Sequence, residues 1–558
     1  MSSSADAAAT CCAALVDEWI NLGVRTAFIS PGSRSTPLAL ALATRSELSV
    51  HVFHDERSGA FAALGAALAT GGPAIVACTS GTAAVNVHPA VVEADHAHVP
   101  MIVCTADRPP ELHGVGAPQT INQQGLFGTS VRWEHDPGVP DEDGTIRWRE
   151  VAAEAVIRSQ GTAPGPVHLN LPFREPLIGT PGALPPRLHH AAESPPSAVS
   201  DEARVALTTM ASAGPGVVMA GWGVDDPRAV TAMARRLRWP VLADPRSGIR
   251  SADGAVVVHH ADPVLRHLPT AKRLRPAAVL RLGDPPASKV VNAWVAASGA
   301  QVVAVSPTGR VIDPDRVVSA QLVLPTSLAC ASLSDAPSDP RWIADWSWVS
   351  SATTQALDEA FARSDRLSEP LVARTIARSA PDDSLLVVSS SMPVRDLEWF
   401  GGVVRADRVL SNRGANGIDG VTSTAIGAAL ATDVPVVLVT GDVAFLHDSS
   451  ALANLCARDA DVRIVVVDNR GGGIFSFLPQ ALVLEPPIFE RLFGTPHATD
   501  LVALAAAHGI PARDVVSRTE LAEALAVPGP SMVRVTSDRS HNVAEHERLN
   551  AAVATALA

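Results

Sequence analysis

At 558 residues, with 47% apolar and 18% charged side chains, the chain is too long for one hydrophobic core and too apolar for a disordered or fibrous protein. Its net charge of -13 and pI near 5.7 argue against a nucleic-acid or anionic-membrane partner, so an anionic ligand must meet a local cluster of cations. No stretch of about 18 apolar residues runs without a charge or a Gly/Pro break, which argues against stable membrane insertion.

The opening stretch, MSSSADAAATCCAALVDEWI, has no basic leader and carries Asp6, Asp17 and Glu18 around its apolar part. That is unlike a signal or transit peptide, and a cytoplasmic protein is expected. Cys11, Cys12, Cys78, Cys104, Cys330 and Cys456 form no CxxC pair and read as small buried thiols in a reducing compartment. Of the 44 basic residues only Lys272 and Lys289 are lysines.

Strand-loop-helix units then repeat along the chain. AFISPGSRS, AIVACTSGTA and MIVCTADRPP are strand ends in the first third; GVVMAGWGVDD, PVLADPRSG, AVLRLGDPP and VVAVSPTG follow; SLLVVSSSMPVRD, VVLVTGDVAFLHD and RIVVVDNRGGG close the series. Runs apolar on both faces predict parallel sheets flanked by helices, an α/β fold. The rhythm fails twice. Seven prolines from Pro172 to Pro196 read as an extended linker, and SDAPSDPRW at 334–342 precedes an amphipathic helix. Three domains are expected, at 1–180, 200–335 and 355–558, with ligands beyond the carboxyl ends of the strands.

Two of those strand ends carry chemistry. Asp442 lies just past one strand, and Asn469 just past the next, in VVVDNRGGGIFSF. A carboxylate and an amide oxygen at adjacent strand ends suit a hard cation such as Mg²⁺. The glycines after Asn469 let main-chain groups approach a metal and a diphosphate. Taken singly, Asp442 also reads as a helix cap, and Asn469 with its glycines as a turn. Glu56, in FHDERSGAFAALGAALA, opens an Ala-rich helix, where an acid stabilises the N-terminus.

Taken together, GD followed by DN-x-G resembles the signature of thiamine diphosphate enzymes. Val443 replaces the last glycine of GDG and Asp468 the first amide of the NN pair, neither position being a metal ligand in that family. More closely, SPGSRSTPLA, DERSGAFAALG, TSGTAAVNVHPAVVEA, TADRPPEL, GAPQTINQQGLFG, SSSMPVRDLE, SNRGANGIDG, GDVAFLHD, GGGIF and FGTPH are similar to the MenD family. These are the 2-succinyl-5-enolpyruvyl-6-hydroxy-3-cyclohexene-1-carboxylate synthases of menaquinone biosynthesis. The likeness spans the expected first and third domains.

The resemblance implies a thiamine diphosphate-binding fold, with Mg²⁺ or Mn²⁺ held by Asp442, Asn469 and Gly471. It implies that Glu56 is the catalytic acid on the aminopyrimidine ring, reaching a cofactor held by another subunit, in a homodimer or a dimer of dimers. Ser391, Ile418, Ile474 and Phe475 would surround the cofactor. The implied transferase reaction decarboxylates 2-oxoglutarate and adds the succinyl unit to isochorismate. Ser391, Arg395 and Arg413 would serve the succinyl side, and Ser33, Arg34, Arg108 and Gln119 isochorismate. Lys289 stands where the family often has a Lys-Arg pair, but Val290 follows it, and Leu478 joins Ile474 and Phe475 on the pocket wall.

Any one of these arginines read alone is a surface ion pair, whereas four at comparable strand-loop junctions suit bidentate carboxylate binding. An acetohydroxyacid synthase or a 2-oxoacid decarboxylase is the nearest rival and would not call for both arginine sets. A non-catalytic nucleotide-binding protein finds less support, since no GxGxxG follows a first strand.

Overall fold

The computed structural model describes residues 4–141, 145–190, 198–251, 256–310, 312–333, 339–458 and 460–558. These residues form three six-stranded parallel sheets with helices on both faces, the expected α/β architecture. Across the first sheet the strands lie in the order Ser49–Val52, Thr26–Ile29, Ala74–Cys78, Met101–Asp107, Pro166–Pro172, Glu134–His135. Across the third they run Arg408–Leu410, Leu385–Val388, Val436–Gly441, Val462–Asp468, Ser531–Thr536, Ala512–Asp514. Counting along the chain within each sheet, both follow the order 2-1-3-4-6-5.

The middle sheet differs. Its strands run Val318–Val323, Gln301–Ser306, Ala278–Leu282, Gly216–Ala220, Val241–Ala243, Val257–Val258, a 6-5-4-1-2-3 order typical of doubly wound domains. Central strands such as Met101–Asp107 and Val462–Asp468 are buried at every residue, which explains why they read as unbroken apolar runs.

Glycines join the first and third sheets. Helix Glu56–Thr70 starts at Asp55, whose side chain accepts from Arg57 N, and ends at Gly71, held at φ 75° where an L side chain is strained. It crosses helix Val421–Thr432 at backbone contact. A Cβ on Gly65 would lie 1.9 Å from the Thr424 carbonyl oxygen, and one on Gly427 would lie 1.9 Å from that of Ala62. The same crossing seats the start of the first helix on the third sheet's loops. Arg57 Nη2 donates to His447 O at 2.8 Å and Ser450 Oγ to Asp55 Oδ2 at 2.7 Å.

Residues 173–190 contain neither helix nor strand and run back along the first domain. Gly182 N donates to Thr10 Oγ1 at 2.9 Å, and Arg187 pairs with Asp17 at 2.7 Å. Residues 191–196 of the expected linker and 334–338 of the second break lie outside the described residues. The amphipathic helix after that break is Pro340–Ala362, which buries Trp342, Trp346, Val349, Thr353 and Leu357 along one stripe. One expectation fails. Five cysteines are buried, but Cys456 is exposed, because it caps the short helix Leu452–Leu455 on its outer side. Among the described residues no helix is long and apolar enough to cross a membrane.

Candidate active site

Strands Val436–Gly441 and Val462–Asp468 are neighbours, with Gly441 opposite Val467, so the residues just beyond them share one sheet edge. Asp442 is buried at the start of helix Asp442–His447. Its Oδ1 accepts from Val443 N at 2.7 Å, and its Oδ2 accepts from Gly471 N at 2.7 Å and meets His497 Nε2 at 3.1 Å. Burial pushes this carboxyl up to about 6, against the pull of the two backbone donors.

Asn469 is buried on the same loop. Its Nδ2 donates to Glu369 Oε1 at 3.1 Å, while its Oδ1 is buried without a partner among the described residues. The glycines are required by close approach: a Cβ on Gly471 would lie 1.9 Å from the Gly494 carbonyl oxygen, and one on Gly473 would lie 2.4 Å from Asn469 Nδ2. Gly471 also adopts φ 143°, a conformation L residues rarely take. A buried amide oxygen with no donor, on a loop bonded to a buried carboxylate, fits a hard divalent cation.

Two further groups join this edge. Asp442, Asp468 and His497 present ligand atoms that all lie within 4.8 Å of one another. Sequence reasoning passed over Asp468 as a replaced amide. FGTPH contains His497, but nothing local in the sequence marks that histidine as a ligand.

Lys289, Arg395 and Arg413 line one cavity of about 590 Å³ between the middle and third sheets, together with Arg246, Arg281 and Arg310. The last three were not foreseen. Their strand-end stretches are recognisable, but in the middle domain only Lys289 is expected to contact a substrate. Arg395 lies on helix Met392–Asp396 and donates to the Ser391 carbonyl. Ser391 itself sits at φ 76°, a strained turn of the kind that collects at functional sites. Burial, followed by repulsion from Arg246 and Arg395, lowers Arg413 to about 10, and its Nε is buried without a partner among the described residues.

The other domains hold these arginine loops in place. Glu93 accepts from the backbone N–H of Gly414 at 2.6 Å, Ala415 at 2.7 Å and Asn416 at 3.3 Å. Arg310 Nη2 donates to the Arg413 carbonyl at 3.0 Å. Glu398 accepts from Ala287 N at 2.8 Å and Ser288 N at 3.1 Å, which fixes the Lys289 turn against the Arg395 segment.

A second basic group stands at the first sheet's edge. Arg108 donates to Ser80 Oγ, and through Nη2 to Gln119 Oε1 at 3.3 Å. Burial, then the nearby Arg34, lowers the Arg108 pKa. Arg34 is partly committed elsewhere, donating to Phe173 O at 3.0 Å and pairing with Glu175 at 3.1 Å. Ser33 and Gln119 are exposed, and Gln119 takes φ 55°. Glu56 is half-buried and accepts from Asn86 Nδ2 at 3.3 Å. Ile418, Ile474, Phe475 and Leu478 are all half-buried, outside the lining of the arginine cavity. Phe475 packs against Phe493 with ring centroids 5.4 Å apart.

One chain therefore holds the expected residues in separate groups: the Asp442–Asn469 edge, an arginine cavity and an arginine-glutamine edge. Comparison with known proteins shows which family the chain resembles. Residues 10–126 match the thiamine pyrophosphate enzyme N-terminal TPP binding domain, 197–388 the middle domain, and 401–535 the C-terminal TPP binding domain. A Myxococcus xanthus protein named 2-succinyl-5-enolpyruvyl-6-hydroxy-3-cyclohexene-1-carboxylate synthase is 40% identical, covering 100% of this chain and 99% of its own length. Proteins of the same name from Listeria innocua (36% identical, 98% of this chain and 97% of the relative) and Thermobifida fusca (39%, 97% and 98%) are similar along their whole length. The chain belongs to the 2-succinyl-5-enolpyruvyl-6-hydroxy-3-cyclohexene-1-carboxylate synthase family of thiamine pyrophosphate enzymes.

Proposed function

We propose that the chain is a thiamine diphosphate-dependent transferase of menaquinone biosynthesis, which decarboxylates 2-oxoglutarate and adds the succinyl unit to isochorismate. The observation that carries this reading is the buried, unpartnered Oδ1 of Asn469 on a loop whose Gly471 N–H bonds Asp442. The functional units correspond to 1–180, 200–335 and 355–558.

Asp442, Asn469 and the main chain at Gly471 would hold Mg²⁺ or Mn²⁺ and the diphosphate, the cation neutralising the phosphate charge. Thiamine diphosphate, when bound, would supply a carbon nucleophile and an electron sink for the loss of CO₂ from 2-oxoglutarate. Glu56 holds a proton at the aminopyrimidine ring, which fixes the tautomer that activates the nucleophile. Ser391, Arg395 and Arg413 orient the carboxylates of 2-oxoglutarate. Ser33, Arg34, Arg108 and Gln119 take isochorismate, and Lys289 adds a cation at the cavity mouth. Ile474, Phe475 and Leu478 would exclude water, and Ile418 would support the cofactor.

Glu56 and Asp442 act on opposite ends of one cofactor from the first and third domains, in a homodimer or a dimer of dimers. Asp55 and Arg57, which flank Glu56, are bonded to 447–450 of their own chain, which anchors the start of the Glu56 helix on the third domain.

The test is CO₂ release from 2-oxoglutarate with and without isochorismate, and with cofactor omitted. Release should depend on thiamine diphosphate and Mg²⁺, and rise sharply when isochorismate is added. Equal release without isochorismate would favour a simple 2-oxoacid decarboxylase, and release without cofactor would end the proposal.

A further inference from the structure

Asn469 can present either end of its amide to the cation, and only the oxygen is a useful ligand. What sets the choice is on the adjoining helix. Glu369, the first residue of helix Glu369–Ser379, is only 5% exposed, and its Oε1 accepts the Asn469 Nδ2 hydrogen at 3.1 Å. A carboxylate accepts and does not donate, so this bond fixes the nitrogen toward Glu369 and the oxygen away from it. The oxygen so placed is the buried atom that has no partner.

Glu369 stands in a buried polar cluster. Asp396 and His546 lie beside it, joined to each other at 2.6 Å, and His546 donates through Nδ1 to Asn542 O at 2.8 Å. The His546 ring packs edge-on against Phe477 and Phe400, with centroids 4.9 Å and 5.3 Å apart. Gly473 packs close to Asn469 Nδ2, where a Cβ would come within 2.4 Å. Asp396 follows Arg395 directly on helix Met392–Asp396, so one buried polar cluster borders both the metal loop and the helix that carries a substrate arginine.

We propose that Glu369 is a positioning residue for the metal site: it orients the Asn469 amide so that Oδ1 faces the cation, and it sets metal affinity without touching the metal. The inference rests on Asn469 being a metal ligand. Removing such outer partners typically weakens metal binding by about 10–100-fold.

The experiment measures Mn²⁺ binding to the full-length protein with thiamine diphosphate, by loss of the free Mn²⁺ electron paramagnetic resonance signal, alongside melting temperature. Glu369→Met fills the volume without an acceptor and should weaken Mn²⁺ binding by more than about tenfold, whereas Glu369→Gln keeps an acceptor oxygen and should stay within about threefold of wild type. A reciprocal exchange covers poor folding of the first variant. Asn469→Asp alone sets two carboxylates face to face and should lose Mn²⁺, and adding Glu369→Gln restores a donor and should recover it. Wild-type affinity in Glu369→Met, or no recovery in the double variant, would overturn the inference while leaving the functional reading intact. Failure of the wild type to bind Mn²⁺ with thiamine diphosphate would overturn both.

Discussion

The first and third sheets share one strand order, yet the loops at matching positions carry opposite chemistry. After the second strand the first domain offers a carboxylate, Glu56, and the third an arginine, Arg413. Beyond the third strand the first domain has Ser80 and Gly81, and the third has Asp442. The fourth strands both end on a buried aspartate, Asp107 and Asp468, but Arg108 follows in one and Asn469 in the other. The scaffold fixes where functional side chains stand, and the residue at each junction decides whether an anion or a cation is received. The middle sheet, with its different order, contributes arginines to a cavity wall instead of a matching edge.

This contrast can be broken by substitution. The largest effect belongs to Glu56→Gln, which should retain thiamine diphosphate binding, read as a preserved thermal shift, yet lower kcat by about 10²–10⁴-fold. Near-normal turnover would remove Glu56 from the chemistry. Next, Arg395→Ala removes a charge-assisted carboxylate contact and should raise KM for 2-oxoglutarate by about 10–100-fold, leaving cofactor binding unchanged. An equal rise in KM for isochorismate would show that the two arginine groups do not divide the substrates.

Smaller effects test the scaffold that brings the edges together. Gly427→Ala places a methyl against the Ala62 carbonyl oxygen and should destabilise the chain by about 1–3 kcal/mol in thermal or denaturant unfolding. No loss would mean that the helix crossing is looser than its geometry indicates. Smallest is a pH effect at the linker. Arg187 first, then Arg45 and Arg149, hold the Asp17 carboxyl below the usual carboxylate range. Its folded pKa is depressed, so its contribution is present above about pH 4 and is lost as the pH falls below that value. Solvent screening limits the effect to about 1 kcal/mol or less. The melting temperatures of wild type and Asp17→Asn should converge on acidification, and a constant gap would exclude this role for Asp17.

Much of the fold was legible because the central strands are buried on both faces, and the strand ends carry Gly, Asp, Ser or Arg where the chain turns. Asp442 and Asn469 could be paired because they end two apolar strands that follow each other in the chain and are neighbours in the sheet. Glu369 could not, since it lies 100 positions from Asn469, and neither could Glu93, 321 positions from Gly414. Both sit in helices whose local pattern gives no sign of a distant loop. His497 lay in a quoted motif but needed the fold to bring it to Asp442. The exposure of Cys456 likewise depends on which side of a short helix meets solvent, and composition does not set that.

The measurement that bears most directly on the contrast between the sheets is calorimetric titration of thiamine diphosphate with Mg²⁺ into wild type, Asp442→Ala and Arg108→Ala. Binding should be weakened by at least about 100-fold in Asp442→Ala, beyond the usual effect of an outer partner, and stay close to wild type in Arg108→Ala. Intact binding in Asp442→Ala would contradict the assignment of the diphosphate and its cation to the edge of the third sheet.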